Sequence, residues 1–220
     1  MSHRSQPQPT EARSNTARSR GRPRAFDRTG ALARAMDAFW EHGYEGTSLT
    51  DLTTAMGIGP TSLYAAFGSK ESLFREAVAH YNDPQRSPTE RALTEQPTAR
   101  KVVEAILREN VRLYTRSDTP RGCLIVLAGI TYSEQNTAVR DLLADLRRSD
   151  RENLTQRFER AIADDELPPE SDTQALANFV LTVLHGMSIH ARDGADRDQL
   201  TRTVDLAMTA WDHFTSPAAG

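Results

Sequence analysis

At 220 residues the chain holds one domain, or a small one beside a larger one, at about 100–200 residues per domain. With 38% hydrophobic and 26% charged residues and a formal net charge of −3, it is neither disordered throughout, nor membrane-embedded, nor uniformly basic. One cysteine, no apolar run longer than Cys123 to Ile130, and an N-terminus without a secretory signal's apolar core describe a soluble, reduced, cytoplasmic protein.

Residues 1–25 carry six arginines against Glu11, a local charge of +5 that leaves −8 for the rest. This Pro/Ser/Arg/Gln-rich stretch has no apolar periodicity, so residues 1–21 read as a disordered basic arm on an acidic body, suited to a polyanionic partner touched at one end. From Asp27 on, helix signals dominate. Leu32, Met36, Phe39 and Trp40 share one face of a helix that ends at Gly43. Thr47 or Ser48 can cap a short helix with Leu49, Leu52 and Met56 inward, stopped by Gly57. Gly59-Pro60 opens a third, brief helix with Leu63 and Phe67 inward, and Ser69 caps a fourth that bears Leu73, Phe74, Ala77 and Val78.

Pro84, Pro88 and Pro97 among polar residues suggest a boundary between residues 82 and 97. Beyond it come a long helix through Val103, Ile106, Leu107, Asn110 and Tyr114, and a short core helix in Cys123–Ile130. Another long helix runs from Leu142 to Ile162, with the Asp164-Asp165-Glu166 run as its solvated end before Leu167-Pro168-Pro169. Two final apolar stripes follow, Leu176 to Met187 and Leu200 to Trp211. The fold class expected is all-α, with about nine helices.

The informative stretch is TSLTDLTTAMGIGPTSLYAAF, Thr47 to Phe67: two short amphipathic helices joined by a tight turn containing glycine. That layout is a helix-turn-helix over residues 48–67, in which the first helix crosses the phosphate backbone and the second enters the major groove. The outer face of the second helix (Thr61, Ser62, Tyr64, Ala65) is small and nearly uncharged, as groove entry requires. Periodicity alone also permits an ordinary helical hairpin.

Residues 22–80 resemble the N-terminal domain of TetR-family transcriptional regulators. The likeness rests on RPRAFDR, on ALARAMDAFWEHGYEGTSLTDLTTAMGIGPTSLYAAFGSKESLF, and on the spacing of Phe39, Gly43, Thr47, Gly57, Leu63-Tyr64, Phe67 and Lys70. The resemblance implies a three-helix DNA-binding domain, a C-terminal helical domain (residues 98–214) for ligand binding and dimerisation, and repression relieved by an unidentified small-molecule effector, with no enzymatic activity and no cofactor. It implies that Thr47, Tyr64 and Lys70 bind phosphates while Pro60, Thr61, Ser62 and Ala65 face the bases. Against this, Tyr64 could be a half-buried aromatic, Lys70 a solvated charge and Thr47 a plain helix cap.

Residues 26–80 hold four basic against seven acidic residues, so long-range attraction to DNA should come from the arm, with Arg20, Arg22 and Arg24 in contact. Arg20-Gly21-Arg22-Pro23 is similar to an AT-hook core, which lays arginines along a narrow minor groove; a generic phosphate-attracting tail is the alternative. The helices at 172–192 and 197–214 carry more apolar surface than one covered face needs. Phe179, Val183, Leu200, Val204, Met208 and Trp211 are expected at a homodimer interface, whose two-fold axis would match half-sites about 34–36 Å apart or a multiple.

Tyr114, Cys123, Phe158, Phe179 and Met187 could line an effector cavity or be plain core. Cys123 follows Arg121-Gly122 at a helix start, where dipole and guanidinium could favour a thiolate; otherwise it is an inert core thiol. His185 and His190 are five apart and do not stack as metal ligands on one helix face, so no metal site is expected, and no membrane partner either. Two other functions fit an all-α chain: an enzyme with its site in the C-terminal cavity, or an architectural DNA-binding protein without an effector. The first lacks a recognisable catalytic arrangement.

Overall fold

The computed structural model describes residues 27–83, 87–129 and 132–216, which form ten α-helices, one 3-10 turn and no strand. Helix α1 (Arg28–Gly46) begins where the Asp27 carboxylate accepts the Gly30 N–H at 2.9 Å, and it kinks at Gly43, whose φ of 72° suits a residue without a Cβ. Helix α2 (Leu49–Met56) opens on a reciprocal capping box between Ser48 and Asp51, and closes on left-handed Gly57. Helix α3 (Pro60–Phe67) has Pro60 in its first turn, and α4 (Lys70–Tyr81) is capped by Ser69.

Helix α5 (Pro88–Glu95) occupies the stretch in which the sequence reading placed a boundary and no helix. Pro88 sits in its first turn and Ser87 caps it, so the proline starts a helix rather than breaking one. Then come α6 (Ala99–Tyr114), α7 (Leu124–Leu127), the 3-10 turn (Glu134–Asn136), α8 (Thr137–Ala163), α9 (Thr173–Arg192) and α10 (Arg197–Phe214). Glu166 is not a solvated helix end. It forms a largely buried ion pair with Arg157 at 3.2 Å and caps the Ala99 N–H at 2.5 Å.

Two hydrophobic clusters organise the molecule. The larger joins α5, α6, α9, α10 and the C-terminal half of α8 around Ile106, Phe158, Val180 and Trp211. The smaller joins α1–α4 around Phe39, Leu52, Leu63 and Phe74, and it also takes in Leu124, Ile125, Ala128, Val139 and Leu143. Helix α7 and the first turns of α8 are therefore shared with the N-terminal head, so head and body are packed together and not merely tethered.

Polar contacts reinforce the same seam. Arg192 donates to the Glu41 carbonyl and carboxylate, the Glu45 carboxylate accepts Ser133 and Asn136 at 2.7–2.8 Å, and Arg75 reaches the Ala138 carbonyl at 3.4 Å. Among the described residues no helix is long and apolar enough to cross a membrane.

Candidate nucleic-acid interface and effector cavity

The turn between α2 and α3 is short because both ends are closed by backbone geometry: the Ile58 N–H reaches the Thr53 carbonyl at 3.1 Å, and Gly59 caps α3. Leu52, Met56, Leu63 and Phe67 are buried, and this anchors both helices to α1 and α4. The opposite face of α3 is open. Pro60, Thr61, Ser62, Tyr64 and Ala65 are all exposed, Tyr64 by 48%. Leu49, placed inward by the pattern, is instead partly exposed because the helix begins with it, a turn before its buried stripe.

Of the expected phosphate ligands, Thr47 needs correction. Thr47 is fully buried, and its hydroxyl donates to the Gly43 and Ala38 carbonyls at 2.6 and 3.3 Å, so its side chain closes the kinked end of α1 and is withheld from a phosphate. Ser48 is the exposed helix cap, with its hydroxyl engaged by Asp51. Lys70 is no free solvated charge: its Nζ lies 4.4 Å from the centroid of the Tyr44 ring, and partial burial lowers its pKa.

The other cations of the head are committed as well. Arg28 forks onto Glu76 at 2.8–2.9 Å and lies over Phe67, Arg34 donates to the Met56 carbonyl at 3.1 Å, and Arg75 pairs with Glu71 at 2.9 Å. Arg20, Arg22 and Arg24 lie outside the described residues.

Where head meets body there is a cavity of about 310 Å³. Tyr114 and Cys123 line it, as expected, but Phe158, Phe179 and Met187 do not. Phe158 packs on Trp211 in the body core at 5.1 Å between ring centroids, and Phe179 meets Phe214 edge-on. Met187 borders a separate depression between α9 and α10. The walls missed by sequence come from far apart in the chain: Met36, Trp40 and Tyr81 from the head, and Arg147, Asp150 and His185 from α8 and α9.

Trp40 Nε1 and the Thr119 hydroxyl, both in wall residues, are buried without a partner among the described residues. Burial pushes the Asp150 carboxyl up to about 6, aided by Glu90. Burial, together with Arg147, lowers the pKa of His185. Cys123 does not fit the thiolate expectation. Burial raises its pKa in spite of hydrogen bonds from Tyr81 and two backbone N–H groups, and Arg121 donates to the Ala195 carbonyl at 2.5 Å instead of facing the sulfur.

The dimer expectation also changes. Leu200, Val204, Met208 and Trp211 are buried inside the monomer, because α10 turns its strongest apolar stripe onto α6 and α9. The exposed apolar residues here are Ile189, Leu206 and Phe214, beside half-buried Phe179 and Val183. No group of three or more potential metal ligands occurs among the described residues.

A short helix presented across a glycine turn from a four-helix head, with a cavity where that head meets an all-α body, defines a helix-turn-helix regulatory protein. Residues 31–77 match the family described as "Bacterial regulatory proteins, tetR family", and residues 98–207 match "Tetracyclin repressor-like, C-terminal domain". The chain is 34% identical over 203 residues to the HTH-type transcriptional repressor ComR of Escherichia coli (strain K12), covering 92% of this chain and 97% of that protein. It is 30% identical to the HTH-type transcriptional repressor BdcR of the same organism, over 86% of this chain and 91% of that one. Among solved structures, a cysteine mutant of the TetR family transcriptional regulator CifR, complexed with a 26-bp double-strand operator DNA, is 49% identical. It superposes with a TM-score of 0.82 over 87% of this chain and 100% of that one. The chain belongs to the TetR family.

Proposed function

We propose that the protein is a dimeric, cytoplasmic, non-enzymatic repressor that binds operator DNA through α3 and leaves it when a small molecule fills the cavity. The observation that carries this reading is the sharing of one cavity by both halves. Met36, Trp40, His80 and Tyr81 of α1 and α4 face the same space as Tyr114, Asp150 and His185 of the body. An occupant therefore touches the helices that hold α3 in place, and needs no relay to reach them.

Pro60, Thr61, Ser62 and Ala65 would meet base edges, with Tyr64 on a phosphate. Two copies pairing through Phe179, Val183, Ile189, Leu206 and Phe214 would set the two α3 helices on successive half-sites. The effector is a compact molecule with an apolar body, matched to a cavity of about 310 Å³ and carrying a polar group for Trp40 or Thr119. It acts by binding the DNA-free arrangement more tightly, since equal affinity for both arrangements would shift nothing.

The test is a mobility-shift titration on DNA flanking the protein's own gene, repeated over a range of salt concentrations and a panel of small molecules. Binding that weakens with salt and is abolished by a panel member is expected. Absence of binding at every salt concentration overturns the operator reading, and binding that no compound alters overturns the effector reading.

A further inference from the structure

Between α8 and α9 lies a second cleft, of about 460 Å³, to which Arg147, Arg148, Arg151, Asn178, Thr182 and His185 contribute. The three arginines fall within little more than one helical turn and share a face, where like charges repel. No carboxylate lines the cleft, and α9 carries none from Thr173 to Arg192.

Compensation from within the chain is thin. Arg148 reaches Asp145 at 2.8 Å, but both side chains are more than half exposed, which leaves that pair weak. Arg147 gives Nη1 to the Ile125 carbonyl at 2.8 Å, a neutral acceptor. Exposed Arg151 has no side-chain partner among the described residues. All this sits on a body in which residues 87–216 hold 16 Lys and Arg against 21 Asp and Glu, so the concentration of positive charge runs against the local background.

We propose that this cleft binds a small multivalent oxyanion, a phosphate ester or a polycarboxylate, at a site separate from the effector cavity. Guanidinium forks from Arg148 and Arg151 match such oxygens in pairs, and the Asn178 amide and Thr182 hydroxyl supply neutral donors from the facing helix. Arg147 and His185 line the cleft and the cavity alike, so they form the wall between the two. Through the Ile125 carbonyl, Arg147 also connects the cleft to α7, the helix packed against the head. The binding claim does not depend on the operator reading, and its test needs no DNA.

The experiment is calorimetric titration of the full chain with sodium pyrophosphate and, separately, sodium citrate, each against sodium chloride at equal ionic strength. Saturable binding of one anion per chain is expected, weakened about tenfold or more by Arg151→Glu and kept within about twofold by Arg202→Glu, an exposed arginine of α10 outside the cleft. Pyrophosphate alone identifies a phosphate site, citrate alone a polycarboxylate site, and both together the shared chemistry. Heats that chloride reproduces, or full affinity in Arg151→Glu, overturn the proposal. Loss of the dimer in Arg151→Glu by light scattering overturns it too, because carboxylates of a second copy would then be the occupant.

Discussion

Tyr64 separates recognition from folding more cleanly than its neighbours, because its ring stands in solvent while Leu63 beside it is fully buried. Tyr64→Phe is expected to lower operator affinity by about 1.5–3 kcal/mol with no change in melting temperature, read by fluorescence anisotropy and thermal denaturation. Thr47→Val should do the reverse. It removes the hydroxyl proton shared between the Gly43 and Ala38 carbonyls and should cost about 1–2 kcal/mol in denaturant unfolding, while affinity per folded molecule stays unchanged.

Asp150 adds a pH signature. Its folded pKa of about 6 lies above the unfolded carboxyl value, so the folded state holds the extra proton, and stability falls as pH rises from about 4 to about 6. Asp150→Asn should flatten that slope and unfold about 1–3 kcal/mol harder than wild type near neutral pH. At this scale the sequence was legible where the signal was local. Pro60, Thr61, Ser62, Tyr64 and Ala65 could be placed outward from their spacing against Leu63 and Phe67. Thr47 could not be placed, because its burial follows from the Gly43 kink, which turns the chain back onto α1.

Among the elements, α5 and α7 show what periodicity misses. Three prolines hid α5, since Pro at a helix start and Pro in a linker look alike in one dimension. Helix α7 could be recognised as a short core helix, but its packing on the head could not, because Leu124 and Ile125 meet α1 and α4 only through tertiary folding. The stripe of α10 was found correctly but assigned to the wrong contact, since an apolar face does not reveal which neighbour covers it. Glu166 illustrates the same limit: a run of three acidic residues suggests solvent, yet one of them is drawn inward by Arg157. Glu166→Gln should cost about 3–5 kcal/mol of stability by chemical denaturation, because it strands a buried guanidinium.

For the whole molecule, charge and symmetry decide function. With Arg28, Arg34, Lys70 and Arg75 held by Glu76, Met56, Tyr44 and Glu71, the folded head offers DNA little free positive charge. Deleting residues 1–21 should therefore weaken DNA binding and flatten the slope of log affinity against log salt, measured by anisotropy over a salt series. Leu206 is 73% exposed, so Leu206→Glu should yield a folded monomer by light scattering, whereas Leu200→Glu, buried in the body core, should fail to fold.

The two tryptophans occupy different compartments: Trp40 lines the cavity between head and body, and Trp211 lies sealed in the body core. A Trp211→Phe variant would therefore carry one indole chromophore, positioned at the junction of the two halves. Its emission wavelength and quenching would report occupancy of that space in real time, without a label and without DNA.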